Sequence, residues 1–344
     1  MPTYGLLLFP SYNRVYFESS LDLAVSELEL ANACLDKPFE DIGREEIAGI
    51  NYISFSSKDP LSPDQIRLLS RLSFVYALFE FKLENKEPSL SPLLLHPNPS
   101  FSDDIISILK YTGKTNESFT KLLVNIAWMT SDSFGKDRPH LLDPVCGRGT
   151  SLFQGLIYGF NVSGLDLDKN AIEKATAFLG KYLKTKRIKH KISQTKISEN
   201  KKKICDIKVF ETNQDKEAYK AGDKLIASFY RADTRHCAKL IKHNSIDMIV
   251  GDLPYGVQHG SHAATGSFSR KPAGLLQEAL PGWYKLLRKG GSIALSWNKN
   301  LASRDELIAI LEAAGFSVFT GGPFDGFSHR VDQAIIRDII VGKK

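Results

Sequence analysis

Asp143-Pro-Val-Cys-Gly-Arg-Gly-Thr150 follows an apolar run at 140–142 and opens a helical pattern at 151–158. A strand, a glycine turn and a helix in that order form the ligand-binding corner of an open α/β sheet, where small molecules sit outside the carboxyl ends of the strands. Gly147 and Gly149 let the main chain approach a ligand with no Cβ in the way. A dinucleotide fingerprint wants a third glycine at 152, where this chain has Leu152, and the turn lacks the lysine of a phosphate-binding loop. Dinucleotide and nucleoside-triphosphate binding are both disfavoured.

Outward from that turn the chain repeats a strand–loop–helix rhythm. Strands are expected at 140–143, 162–167, 227–231, 246–251, 292–297, 317–320 and 333–340, with helices at 151–158, 169–184, 235–242, 275–288 and 304–314. Alternation of this kind implies a parallel sheet covered by helices. The last two strands have no helix between them and should close the sheet as an antiparallel pair. The fold class read here is α/β, a Rossmann-like sheet of seven strands behind a small α+β domain. That domain occupies 1–90, with strands at 5–9, 14–18, 50–55 and 74–81, and helices at 21–35 and 63–72, the second capped by Ser62. A proline- and serine-rich stretch at 86–102 reads as a linker. Helices at 102–110 and 118–129 fill the span 91–135 before the main domain, 136–344.

Two acids complete the turn. Gly164-Leu-Asp-Leu-Asp168 ends the second strand, placing Asp166 about 20 positions after the glycines, where ribose hydroxyls are held. Tyr230-Arg-Ala-Asp-Thr-Arg235 ends the third strand and offers Asp233 to an adenine edge. This is an adenosine pocket without a pyrophosphate site. Cys146 and Thr150 in the turn, Leu167 after the first acid and Thr234 after the second join the candidate cofactor contacts.

The chemistry lies in Asp252-Leu-Pro-Tyr255, at the end of the fourth strand. An exocyclic amine on an aromatic ring is a poor nucleophile because its lone pair is delocalised. The Asp252 carboxylate and the main-chain carbonyl of Leu253 can accept its two N–H bonds and turn its lone pair toward a sulfonium methyl group. The carboxylate also stabilises the positive charge that develops on the nitrogen. Pro254 fixes the backbone, and Tyr255 offers a face on which a splayed-out base can stack. No Pro-Cys pair stands here, which argues against methylation at a pyrimidine ring carbon.

On these residues the chain resembles the S-adenosylmethionine-dependent amino-methyltransferases of RNA, above all the tRNA guanosine-N2 methyltransferases that often carry a THUMP domain. His96-Pro97 and Ala232-Asp-Thr-Arg235 match segments of that family, and the likeness covers about residues 90–340. It implies that Asp143, Gly147 and Gly149 contact the methionine end of the cofactor, Asp166 its ribose and Asp233 its adenine, while Asp252 and Tyr255 hold the base. Three features depart from the family: Leu253 replaces the usual proline, the first 90 residues are too short for a complete THUMP module, and a basic insertion occupies 181–203. The alternatives are a DNA adenine-N6 or cytosine-N4 methyltransferase and a non-catalytic RNA-binding module on the same fold.

Composition bounds the partners. The 344 residues are 42% hydrophobic and 24% charged, as in a soluble globular chain. No apolar run reaches the roughly 18–20 residues of a membrane span, and the N-terminus reads as a first strand, not a signal peptide. Cys34, Cys146, Cys205 and Cys237 form no CxxC pair and no metal spacing, which fits reduced thiols in a cytoplasmic protein and predicts no metal site. The net charge of +6 is uneven: 181–203 holds ten Lys or Arg against Glu199 alone, so it carries +9 and the rest of the chain −3. Such a segment attracts polyanions. Lys184, Lys186, Arg187, Lys189 and Lys191, read as an extension of the helix at 169–184, are the candidate RNA contacts, with His259 and Arg270 from the small-residue loop 256–274. RNA, tRNA in particular, is the expected partner; oligomeric state is left open.

Overall fold

A computed structural model describes residues 1–10, 14–84, 87–97, 99–199, 202–254, 272–331 and 334–344. The chain divides into two compact units, Met1–Asn98 with Thr320–Asp338, and Pro99–Phe319 with Ile339–Lys344.

The first unit runs β1 (Thr3–Leu8), α1 (Arg14–Asn32), β2 (Glu40–Ile47), β3 (Ile50–Ser56), α2 (Pro63–Ser70), β4 (Val75–Glu84) and β5 (Glu87–Leu93). The sheet order is β2-β3-β1-β4-β5, antiparallel throughout. Its first six elements have the βαββαβ succession of the ferredoxin-like arrangement, and β5 extends it by one strand. Ser62 caps α2 in a full capping box with Gln65. Three expectations change. Residues 14–18 are the first turns of α1, not a strand. Once the periodic run from Leu21 has nucleated a helix, each added residue needs only propagation. The stretch at 86–102 is in part strand β5, whose Pro88 and Pro92 are tolerated because it lies at the sheet edge. The opposite edge, β2, carries Glu40, Asp41, Arg44, Glu45 and Glu46, and its charge hid it as a strand while suiting a solvated edge.

The second unit runs α3 (Asp104–Ser107), α4 (Glu117–Thr130), β6 (His140–Asp143), α5 (Thr150–Ile157), β7 (Asn161–Asp166), α6 (Lys169–Thr185), β8 (Lys189–Glu199), β9 (Lys202–Asn213), α7 (Lys216–Lys220), β10 (Leu225–Arg231), a 3-10 turn at Thr234–His236, α8 (Cys237–Leu240), β11 (Ile246–Asp252), α9 (Pro272–Leu286), β12 (Leu287–Asn298), α10 (Arg304–Ala313) and β13 (Ser317–Val318). β14 (His329–Arg330) follows in the first unit and pairs antiparallel with the opening residues of the last strand, β15 (Ile336–Lys343). The main sheet has the order β13-β15-β12-β11-β6-β7-β10-β9-β8. β12, β11, β6, β7 and β10 are parallel neighbours, and β13 closes antiparallel on β15. Leu141, Leu142, Val162, Leu165, Ile249, Val250, Ala294 and Leu295 are all fully buried, as parallel strands covered by helices require.

The expected seven strands are present, and β8 and β9 widen the sheet beyond β10. Here the reading of 184–191 as an extension of the helix at 169–184 fails. α6 stops at Thr185, Arg187 takes a left-handed φ of 55°, and β8 pairs antiparallel with β9. Ile192, Thr195 and Ile197 supply strand-forming side chains that the lysines obscured. Lysines along an exposed edge strand also prevent sheet-to-sheet pairing.

The missing third glycine is replaced. Gly155 on α5 takes over close helix–strand packing: a Cβ there would sit 2.7 Å from Val162 Cγ1 and 3.0 Å from Leu141 Cδ2. Gly164 on β7 makes room for Leu152, whose Cδ1 would lie 2.4 Å from an added Cβ. Leu152 is tolerated because the strand beneath it has no side chain.

Candidate functional site

β6 lies between β7 and β11, so the strand order reverses at it, which is where an open α/β sheet holds its ligand, outside the carboxyl ends of the strands. Every described residue of the two motifs lies at that edge. Asp143 ends β6 and is buried; its carboxylate accepts hydrogen bonds from the Val145 N–H (3.0 Å) and from the Ser151 hydroxyl. Cys146 is buried and its N–H donates to the Leu165 carbonyl at 2.9 Å, fastening the turn to β7. Gly147 (φ 51°) and Gly149 (φ 83°) are both left-handed, and a Cβ on Gly147 would meet no atom within 4 Å. The turn therefore needs glycine for its backbone and leaves open space over it.

Asp166 ends β7. One of its oxygens accepts the Gly147 N–H and the other the Asp168 N–H, both at 2.8 Å, so the second strand holds the turn in shape. Leu167, next in the chain, is half exposed, an apolar surface beside the acid. Asp168 caps α6 by accepting the Asn170 N–H. Asp233 caps the 3-10 turn, and its carboxylate is gripped by Arg235, whose Nη2 lies 2.6 Å away and whose Nη1 reaches Glu278 at 2.7 Å. Burial raises the Asp233 pKa, but the Arg235 contacts outweigh it and hold the carboxyl below its usual range. Thr234 is buried, with its hydroxyl accepting the Trp283 indole N–H at 2.9 Å. Thr150 opens α5, and its Oγ1 lies 3.1 Å from the Tyr111 hydroxyl.

Asp252 ends β11 between two hydroxyls. Thr115 donates to one oxygen at 2.7 Å and Ser296 to the other. The Leu253 N–H donates to the Ser296 carbonyl at 2.9 Å, and the Leu253 side chain is fully buried. Pro254 is exposed. Tyr255, His259 and Arg270 lie outside the described residues, as does most of the loop at 256–274. Of the proposed RNA contacts, Lys184 is exposed on α6, Lys186 pairs with Asp104, and Arg187, Lys189 and Lys191 are exposed at the start of the hairpin.

Sequence reading missed Tyr111, Thr115, Ser151 and Ser296. Ser296 had a signal: it and Ser292 are the two hydroxyls in the otherwise apolar strand 292–297, and a buried polar group needs a partner. Tyr111 and Thr115 had none, since they lie in the loop before α4 and reach the site only through the fold. There the Arg148 guanidinium stacks on the Tyr111 ring at 4.2 Å.

The electrostatics favour a cationic ligand. Burial, followed by the nearby charges of Asp166 and Asp252, pushes the Asp143 carboxyl up to about 7, and burial also raises Asp166. Three carboxylates thus crowd one crevice. A positively charged sulfonium donor would relieve that crowding.

A consequence for stability follows. The folded protein holds a proton on Asp143 that the unfolded chain, with a value of 3.8, releases. The associated stability is complete below pH 3.8 and is lost as pH rises through about 7, roughly 1 kcal/mol of it between pH 6.5 and 8.5. His140 works in the opposite sense. Burial lowers it to about 4, so its contribution is present above 6.5 and lost only as pH falls. Chemical denaturation of the donor-free protein from pH 6.5 to 8.5 should show the decline, and Asp143→Asn should flatten it. An identical slope in the variant would remove Asp143 as the titrating group.

A parallel sheet with a glycine turn, two acids at successive strand ends and a fourth-strand Asp-Leu-Pro defines a methyltransferase that uses S-adenosylmethionine. Residues 113–293 match the family described as RMKL-like, methyltransferase domain. The chain belongs to that family. No curated protein sequence matches it. Among solved structures, TrmN from Thermus thermophilus aligns over 100% of both chains at 14% identity with a TM-score of 0.46. A TehB-like SAM-dependent methyltransferase from Corynebacterium glutamicum aligns over 62% of this chain and 84% of its own, at 14% identity and a TM-score of 0.37. No described helix is long and apolar enough to cross a membrane, and no group of three or more metal-ligating side chains occurs among the described residues.

Proposed function

We propose that this enzyme methylates an exocyclic amino nitrogen of a base in RNA, with guanine N2 in tRNA as the favoured target. The observation that carries the reading is Asp252, held at the sheet edge between the Thr115 and Ser296 hydroxyls and beside the crowded acids of the donor crevice. A carboxylate oxygen has two lone pairs, so each can keep its hydroxyl partner and still accept from an amine. Two anchored oxygens give the carboxylate a fixed direction, which is what orienting an amine requires. In this reading Asp143, Cys146, Gly147, Gly149 and Thr150 surround the methionine end of the donor. Asp166 and Leu167 hold its ribose and one adenine face, while Asp233, with the main chain at Thr234, holds the adenine edge. Asp252 and the Leu253 carbonyl hold the target amine, Pro254 shapes that turn and Tyr255 stacks on the base. Bound S-adenosylmethionine supplies the methyl group.

RNA is favoured over DNA by the family resemblance, and the charge suits a nucleic acid of either kind. The first unit has ten basic and seventeen acidic residues (−7), which leaves +13 on the second. Phosphate neutralisation therefore falls to the methyltransferase unit itself. Incubation with methyl-labelled donor and total tRNA, rRNA or genomic DNA in separate reactions tests this. Label is expected in RNA, and label in DNA alone would overturn it.

A further inference from the structure

We infer that a cleft between α6 and the β8–β9 hairpin binds the sugar–phosphate backbone of the substrate RNA a few nucleotides from the target base; this rests on the RNA reading above. The cleft measures about 350 Å³ and is lined by Lys169, Glu173, Lys196, Asp206, Lys208 and Arg231, together with apolar side chains such as Phe229. Its cations come from four separate elements, α6, β8, β9 and β10, so they converge through the fold and not through one run of sequence. Lys169 pairs with Glu173 at 3.6 Å and Arg231 with Asp206 at 3.5 Å. Lys196 and Lys208 form no ion pair among the described residues, and a phosphate would give them one.

Strand register places this cleft on the catalytic edge of the sheet. Lys196 pairs with Asp206, Asp206 with Arg231, and Arg231 with Asp166, one row across four strands that ends at the donor crevice. Arg231 and Asp252 end strands three positions apart, roughly 14 Å at the usual strand spacing. A chain whose base reaches Asp252 can run along that edge into the cleft. Lys189 and Lys191 pair with Asn213 and Glu211, at the end of the hairpin away from Lys196, and Lys184 lies at the far end of α6 from Lys169, so none of the three lines the cleft.

The test is the double variant Lys196→Ala/Lys208→Ala in the full-length protein, with RNA affinity measured over a salt series and donor affinity measured alongside. RNA binding should weaken about tenfold, and the slope of log affinity against log salt should fall by about 1.4, two single-strand phosphate contacts. Donor affinity should not change, which also verifies the fold. Unchanged RNA affinity and slope in the variant, with the parent protein binding RNA, would overturn the cleft alone. A parent protein that binds donor and methylates no RNA would overturn the RNA reading from which the cleft derives.

Discussion

Asp252→Ala should lower the rate of methyl transfer by about a thousandfold, near 4 kcal/mol of barrier, while leaving donor affinity within about threefold. The variant loses the acceptor that aims the amine and the charge that stabilises the developing cation; one such group ordinarily contributes between a hundredfold and a thousandfold, and the two effects overlap because they reside in one carboxylate. Thr115 and Ser296 then face an empty site, but both hydroxyls can turn elsewhere, so the fold should hold. Asp252→Asn separates the two effects. It keeps one acceptor oxygen and removes the charge, and should fall between the parent and the alanine variant. Single-turnover rates with saturating donor, beside direct donor titration, measure both. Transfer surviving in Asp252→Ala would show that another group holds the amine.

The second large effect is expected at Asp166. Its two oxygens accept the Gly147 and Asp168 N–H groups, so Asp166→Ala leaves two backbone donors without their carboxylate, the first of them partly buried, and frees the glycine turn from β7. Hydrogen bonds to a charged group contribute about 1.5–3 kcal/mol each. Loss of the preformed turn, added to loss of the ribose contacts, should weaken donor binding by about a hundredfold or more, with methyl transfer at saturating donor much less affected. Asp166→Asn can still accept one N–H and should recover part of the affinity. Equal donor binding in the parent and Asp166→Ala would mean that neither the turn nor the ribose depends on this acid. The two variants are complementary: Asp252 acts on the rate and Asp166 on donor affinity.

The methyltransferase unit was legible where chemistry constrains residue type. Glycine at 147 and 149 follows from positive φ, and Asp166 and Asp252 lie at strand ends as the motifs required. Legibility failed where tertiary context decides. Gly155 and Gly164 do the packing that a glycine at 152 would have done, and only the neighbours they approach reveal it. The lysines of 184–191 read as a helix extension, and the exposed edge strand β8 has no alternating apolar face to mark it as a strand. β5 was hidden by its own prolines, which an edge strand accepts and an interior strand does not. Thr115 reaches Asp252 across 137 positions of sequence, a contact no local pattern encodes.

The central claim is transfer to a base amine in RNA. RNA methylated in vitro by the purified protein with labelled donor, digested to nucleosides and separated, tests it most directly. The label should appear in an N-methylated base, N2-methylguanosine above all, and should vanish with Asp252→Ala. Label confined to a ring carbon or a ribose oxygen, or entering DNA and not RNA, would contradict the account.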